Sequence, residues 1–86
     1  MASYKVALKP SVEKDLRLLP PSVVSRVFKQ IEALGNEPLP RQSRKLAGAE
    51  QLYRVRVGYY RVVYGVDKAA KEVIIHYVRH RRDVYR

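Results

Sequence analysis

Hydrophobic and polar side chains alternate over residues 52–64, and this alternation is the clearest structural signal in the chain. A period of two is typical of a half-buried β-strand. Gly58 and Tyr59 interrupt the pattern, and a two-residue loop at that point would join both halves as an antiparallel hairpin. The apolar face of this predicted hairpin consists of Tyr53, Val55, Val57, Tyr60, Val62 and Tyr64.

The other face of the predicted hairpin is basic. It carries Arg54, Arg56 and Arg61, and the expected register sets Arg56 directly opposite Arg61. Like charges in directly opposed positions destabilise a sheet. Folding alone therefore gives no reason for this pair, whereas a bound polyanion would relieve the repulsion.

Residues 4–35 predict one strand followed by two helices. Residues 4–8 alternate as a strand does. Ser11 is predicted to be the N-cap of the first helix, with Glu13 and Asp15 in the first turn, where the helix dipole favours negative charge.

The second helix is bounded by strong signals. Pro20-Pro21 ends the first helix and begins the second, and Gly35-Asn36 predicts its end. Apolar side chains recur between these limits at helical spacing. They are Val23, Val24, Val27, Phe28, Ile31 and Leu34.

The rest of the chain completes an α+β pattern. Residues 36–50 are predicted to be a connection, 67–71 a turn, and 73–78 a central strand that is apolar on both faces. The order is an N-terminal strand, a two-helix hairpin and an antiparallel sheet of three further strands. We expect a single domain over 1–86, because no repeat, low-complexity tract or second unit is visible.

Charge narrows the possible functions. The chain has 18 Lys and Arg against 8 Asp and Glu, a net charge of +10. Residues 41–86 hold a net +8 of this, and nine of their twelve basic residues are arginine, which suits bidentate phosphate contacts. Such a domain is expected to bind nucleic acid or an acidic partner. The sequence predicts no membrane span and no metal or other cofactor, and a cytoplasmic location.

The C-terminal residues extend the basic face of the hairpin. If the last strand pairs with the strand of Arg61, residues 79–82 end beside the same surface, and Tyr85 could fold back over it. A cationic patch with an aromatic side chain is suited to gripping a phosphodiester and stacking on a base. Metal-free RNA cleavage is then possible, because the ribose 2′-hydroxyl can attack its own phosphate while arginines stabilise the developing charge.

The motifs at 52–64 and 80–85 resemble the RelE/ParE superfamily of toxin–antitoxin toxins, and the RelE side most closely. The resemblance implies a RelE-like (microbial RNase-like) fold. It also implies a metal-independent endoribonuclease, an mRNA interferase, that cuts translated mRNA in the ribosomal A site by 2′-hydroxyl attack and so inhibits translation. The implied partners are mRNA, ribosomal RNA and an acidic RelB-like antitoxin that holds the toxin inactive in a hetero-oligomer.

The resemblance also implies catalytic residues. Arg54 and Arg56 match the basic pair on the first hairpin strand, and Arg61 matches the phosphate-holding arginine on the second. Arg81 matches the arginine that stabilises the transition state, and Tyr85 the tyrosine that orients the substrate nucleotide.

Other basic residues are implied to bind substrate or ribosome. Arg82 is an alternative to Arg81 as the working arginine, and His80 is also expected to bind substrate. Phosphate contacts with ribosomal RNA fit three residues of the 36–50 connection, Arg41, Arg44 and Lys45.

The general base is an open question. Family members with lysine on the first hairpin strand could use it as a base, whereas this chain has two arginines there, which are always protonated. A water molecule, His80 or Tyr85 could take the proton. Two alternative functions therefore stand: a ParE-like inhibitor of DNA gyrase, and a catalytically weak family member that binds RNA or antitoxin.

Overall fold

The computed structural model describes residues 3–46 and 51–80, which form a five-stranded sheet with two helices packed on one of its faces. The strand order is β1-β5-β4-β3-β2, with β1 parallel to β5 and all other neighbours antiparallel. This confirms the α+β prediction. The elements are β1 (Lys5–Leu8), α1 (Pro10–Arg17), α2 (Pro21–Asn36), β2 (Arg44–Lys45), β3 (Leu52–Val57), β4 (Tyr60–Asp67) and β5 (Glu72–His80).

The β3–β4 hairpin has the predicted two-residue loop and the predicted register. Val57 pairs with Tyr60, and Arg56 pairs with Arg61. Gly58 has a φ of 60°, and Tyr59 is not among the described non-glycine residues with positive φ. Glycine with positive φ at the first turn position is the φ pattern of a type II′ turn, which matches the twist of the flanking strands.

The sheet has one strand more than the sequence predicted. β2 lies within the predicted connection and pairs Arg44 with Arg54 and Lys45 with Tyr53. Two residues show no detectable alternation, so the hydrophobic pattern could not reveal this strand. The connection is fastened to the core by the Tyr64 hydroxyl, which donates a hydrogen bond of 2.8 Å to the Pro38 carbonyl.

The prediction for the start of α1 was wrong for Ser11 and for Asp15, since Glu13 is the acidic residue in the first turn. The helix begins at Pro10 with Lys9 as N-cap, and no side chain caps it. Ser11 Oγ donates instead to the His76 carbonyl at 3.1 Å, and Asp15 Oδ2 accepts a 3.1 Å hydrogen bond from the Val78 N–H. Both side chains thus hydrogen-bond to backbone groups of β5 that lie beyond the end of β1. Without them, this part of the β5 edge would have no partner. Neither helix is long and apolar enough to cross a membrane.

The core lies between the helices and one face of the sheet, called here the inner face. From the helices it contains Val12, Leu16, Val27, Ile31 and Leu34. The strands contribute Val55, Val57, Val62, Tyr64, Val66, Val73, Ile75 and Val78. The predicted apolar face of the hairpin is therefore the inner face, with Tyr53 packed against it and 6.0 Å from the Tyr64 ring.

A bulge interrupts the pairing of β4 with β5. Val63 pairs with Tyr77 whereas Tyr64 pairs with Ile75, so His76 is the extra residue. Its ring lies over Gly65, where an added Cβ would be 3.3 Å from Nε2. Burial, with a smaller contribution from the charge of Lys9, lowers the pKa of His76. His76 is therefore a packed strand residue rather than a solvent-exposed imidazole.

Candidate nucleic-acid interface

Three arginines form a row across the central strands. Arg56 of β3 pairs with Arg61 of β4, and Arg61 pairs in turn with Arg79 of β5. Directly opposed residues of antiparallel strands project from the same face. The row therefore lies on the outer face of the sheet, the face opposite the helices.

Two more arginines continue the row toward the sheet edge. Arg44 of β2 pairs with Arg54 of β3, on the same face as Arg56. A groove of about 290 Å³ runs between the strands here, lined by Gln42, Arg44, Arg54 and Arg56. The arginine face, as we name it, consists of Arg44, Arg54, Arg56, Arg61 and Arg79.

Arg61 occupies the centre of this face and is nearly buried. It is only 6% exposed, whereas Arg56 and Arg79 on either side are exposed. The guanidinium of Arg79 lies over the Tyr77 ring, with Cζ 4.5 Å from the ring centroid, a cation–π contact. A cation with so little solvent around it interacts more strongly with an incoming anion than a mobile surface charge does.

The arginine face can bind the phosphates of a polyanion. Several guanidinium groups at neighbouring strand positions present many N–H donors to phosphate oxygens, often two at a time. In residues 3–46 and 51–80, no three His, Cys, Asp or Glu side chains converge on a point where they could hold a metal ion. The arginine face itself offers stabilisation of negative charge on a phosphate.

The structure brings together some of the predicted residues and separates others. Arg54, Arg56 and Arg61 share the outer face with Arg44, as the pattern predicted. Lys45 pairs with Tyr53 and so projects from the other face, whereas Arg41 is exposed in the connection before β2. The predicted residues Arg81, Arg82 and Tyr85 lie outside the described residues.

His80 is on the inner side of the sheet, at the end of β5. It pairs with Tyr60, whose ring meets the His80 ring edge-on at 5.2 Å. Arg79 and His80 thus project to opposite faces. The imidazole is not part of the arginine row.

Sequence reasoning placed residues 79–82 beside this face but did not single out Arg79 as a site residue, and the bulge at His76 explains why. Counting regularly from the Asp67–Glu72 pair would set Arg61 opposite Val78 and turn Arg79 toward the helices. The extra residue shifts the register by one, so Arg79 faces outward beside Arg61. Only the actual pairing of β5 with β4, which the alternation of side chains does not fix, reveals this shift.

Known proteins resemble this chain over nearly its whole length. A family model described as "ParE toxin of type II toxin-antitoxin system, parDE" matches residues 6–85. The putative toxin RelE1 of Methanocaldococcus jannaschii is 34% identical, and the match covers 96% of each chain. Toxin RelG of Mycobacterium tuberculosis is also 34% identical, over 96% of this chain and 97% of its own.

Solved structures agree with these relatives. The archaeal RelE–RelB complex from Pyrococcus horikoshii contains a chain of 35% identity that superposes with a TM-score of 0.82, covering 94% of this chain and 97% of that one. The RelBE2 toxin–antitoxin complex of M. tuberculosis gives 31% identity and a TM-score of 0.80, with coverages of 91% and 98%. The predicted fold is thereby confirmed. The chain belongs to the RelE/ParE family of toxins from type II toxin–antitoxin systems.

Proposed function

We propose that the protein is a ribosome-dependent, metal-independent endoribonuclease that cleaves translated mRNA and so inhibits translation. The observation that carries the proposal is the row Arg56–Arg61–Arg79, with an almost buried arginine at its centre. Opposed like charges weaken a sheet, so the row is better explained by a phosphate ligand than by folding.

The proposed reaction is an internal transfer at phosphorus. The ribose 2′-oxygen attacks the adjacent phosphorus, the bond from phosphorus to the 5′-oxygen breaks, and a 2′,3′-cyclic phosphate and a 5′-hydroxyl result. Arg61 binds the non-bridging oxygens, while Arg56 and Arg79 stabilise the charge that grows on the phosphoryl group and the leaving oxygen. Preorganised cations contribute most where charge develops in the transition state.

The proton transfers need groups other than the arginines, which are always protonated. The 2′-hydroxyl must lose a proton and the leaving 5′-oxygen must gain one. Of the three predicted acceptors, His80 projects to the opposite face from Arg79. We therefore assign the base to Tyr85 or to water.

Arg79 extends the predicted set of catalytic residues. Arg81 and Arg82 were predicted for the role of the C-terminal arginine, but Arg79 is the cross-strand partner of Arg61. This pairing supports Arg79 as the residue that shares the phosphoryl charge with Arg61. A role of Arg81 or Arg82 in substrate binding is compatible with that assignment.

Partners follow from charge and from the relatives. The exposed Arg41, Arg44 and Lys45 suit contacts with the phosphates of ribosomal RNA. The structures of similar chains from P. horikoshii and M. tuberculosis are toxin–antitoxin complexes. We propose an acidic RelB-like antitoxin that covers the arginine face of this chain in a cytoplasmic hetero-oligomer.

Primer extension on mRNA translated in vitro tests the proposal. We expect new 3′ ends within codons when the purified protein is added, and none when ribosomes are omitted. The Arg61→Ala, Arg79→Ala double variant should lose nearly all cleavage, whereas Arg17→Ala, a charge loss on α1, should leave it unchanged. Full cleavage by the double variant would exclude the assigned site.

A second function is favoured by the name of the matching family, which is that of ParE toxins. A ParE-like protein on this scaffold would inhibit DNA gyrase without cutting RNA. A gyrase supercoiling assay beside the primer extension separates the two, because inhibited supercoiling with intact mRNA would favour this alternative. If neither assay responds and antitoxin or RNA still binds, the chain is a catalytically weak family member.

A further inference from the structure

The tip of the β3–β4 hairpin carries an aromatic side chain that folding does not use. Tyr59 is 73% exposed and stands outside the hydrophobic core. Its ring is stacked on that of His80, with centroids 6.3 Å apart and an interplanar angle of 24°. His80 also contacts the Tyr60 ring, which meets it edge-on with the centroids 5.2 Å apart. The Tyr59 ring is therefore supported, and much of it is open to a ligand.

The tip adjoins the arginine face. A small concavity of about 110 Å³ is lined by Tyr59 together with Arg56, Gly58, Tyr60 and Arg61. A strand of nucleic acid that leaves Arg61 in this direction therefore meets the exposed tyrosine next. Phosphate binding and base stacking would be combined within adjacent nucleotides.

A further cation flanks the tip from the helix layer. Arg26 of α2 reaches the turn, and its guanidinium nitrogen would lie 3.3 Å from a Cβ added at Gly58. Two guanidinium groups therefore lie near the exposed ring, that of Arg26 beside Gly58 and that of Arg56 in the wall of the concavity. Aromatic rings between cations are the usual means of binding single-stranded nucleic acid, since each base stacks while the backbone contacts the charges.

We propose that Tyr59, supported by His80 and flanked by Arg26, is a stacking subsite for one unpaired nucleobase of single-stranded RNA. The inference rests on the proposed function, because it adds a second binding position beside the phosphate site. Every base has a π-face, so the subsite orients the strand without selecting a base. It also gives His80 a structural part in substrate binding.

A double-mutant cycle between protein and RNA tests the subsite. The probe is a short single-stranded oligoribonucleotide with 2′-O-methyl groups, which prevent cleavage, and a series of copies with one abasic position each. We expect Tyr59→Ala to weaken binding about tenfold, as loss of one stacked base does. One abasic position should weaken binding to the wild type by a similar factor and have no effect on Tyr59→Ala.

Matched variants separate the contribution of ring stacking to RNA affinity from that of side-chain size. Tyr59→Phe should bind as the wild type does, whereas Tyr59→Leu, which keeps bulk without a π-system, should behave as Tyr59→Ala. Phe28→Ala removes an exposed aromatic ring of α2 and should have no effect. Arg26→Ala should reduce the slope of log affinity against log salt by about one.

The base could belong to the substrate or to ribosomal RNA, and a second arm distinguishes these sources. Binding to small ribosomal subunits without mRNA is measured for the same variants. If Tyr59→Ala loses affinity for ribosomal subunits but not for the oligoribonucleotide, the base belongs to ribosomal RNA. If Tyr59→Ala binds as tightly as the wild type in both arms, the subsite is excluded. The affinity of Arg61→Ala, measured in the same two arms, then tests the phosphate site separately.

Discussion

The two faces of the sheet are built from the same strands and have opposite properties. The inner face is closed by α1 and α2 and carries valine, isoleucine and tyrosine. The outer face carries five arginines at directly paired positions. Since successive residues of a strand alternate between faces, β3 contributes Val55 and Val57 to the core and Arg54 and Arg56 to the arginine face, to which β4 and β5 each add one arginine. Folding free energy and RNA affinity should therefore respond to different substitutions.

The largest loss of stability is expected on the inner side. Leu34 of α2 is fully buried. Leu34→Ala should lower the free energy of unfolding by about 2–5 kcal/mol, because it removes apolar contacts and leaves a cavity. Urea denaturation measures this, and RNA affinity per folded molecule should be unchanged. A loss below about 1 kcal/mol would mean that α2 contributes less to the core than its burial indicates.

An intermediate loss is expected where the core holds the connection. Tyr64→Phe removes the hydroxyl that donates to the Pro38 carbonyl. We expect about 1–2 kcal/mol, since the carbonyl loses its partner in a partly buried position. Burial also raises the pKa of the Tyr64 phenol, and the hydroxyl is a donor at neutral pH even without this shift. Unchanged stability in thermal denaturation of Tyr64→Phe would show that water replaces the hydroxyl at no cost.

Substitution of an exposed arginine on the outer face should hardly change the free energy of unfolding. Arg56 is exposed and opposes Arg61. Arg56→Ala should change the free energy of unfolding by less than about 0.5 kcal/mol. The same variant should bind RNA more weakly and with a salt slope smaller by about one. A large fall in stability with full RNA affinity would reverse the assignment of the two faces.

The smallest effect is a dependence of stability on pH. Burial lowers the pKa of folded His76, so below about pH 6.5 the unfolded chain binds protons more readily than the folded one. Stability should therefore decline as the pH falls from 7 toward 5. His76→Gln should flatten this part of the profile, measured by urea denaturation at several pH values. An unchanged slope would assign the dependence to other groups.

Much of the fold could be predicted because its signals are local. The hairpin register followed from alternation and a two-residue glycine turn, and both helices followed from proline boundaries and helical spacing. Ser11 was misassigned because a serine near the start of a helix can either cap that helix or hydrogen-bond to a distant strand. The sequence looks the same in both cases. Its partner, the His76 carbonyl, is 65 positions away.

Only the part of the candidate site that lies within one hairpin could be predicted, because its signals are local. Arg54, Arg56 and Arg61 belong to one hairpin, so counting within it was sufficient. Arg79 joins them through a bulge in a different pairing, and a single extra residue exchanges the faces of Arg79 and His80. The pattern of apolar residues in β5 does not reveal the bulge, because both faces of this strand are largely apolar.

Replacement of Arg61 by methionine tests most directly whether the arginine row serves ligand binding rather than folding. Arg61→Met keeps an unbranched apolar stem in the buried position and removes the charge. Arg56 and Arg79 oppose Arg61 with the same charge, so loss of the Arg61 charge removes a repulsion between neighbouring strands. We expect unfolding at the same or a higher urea concentration, and cleavage of translated mRNA slower by about 100-fold or more. A variant that is strongly destabilised and still cleaves at the wild-type rate would contradict this role of the row.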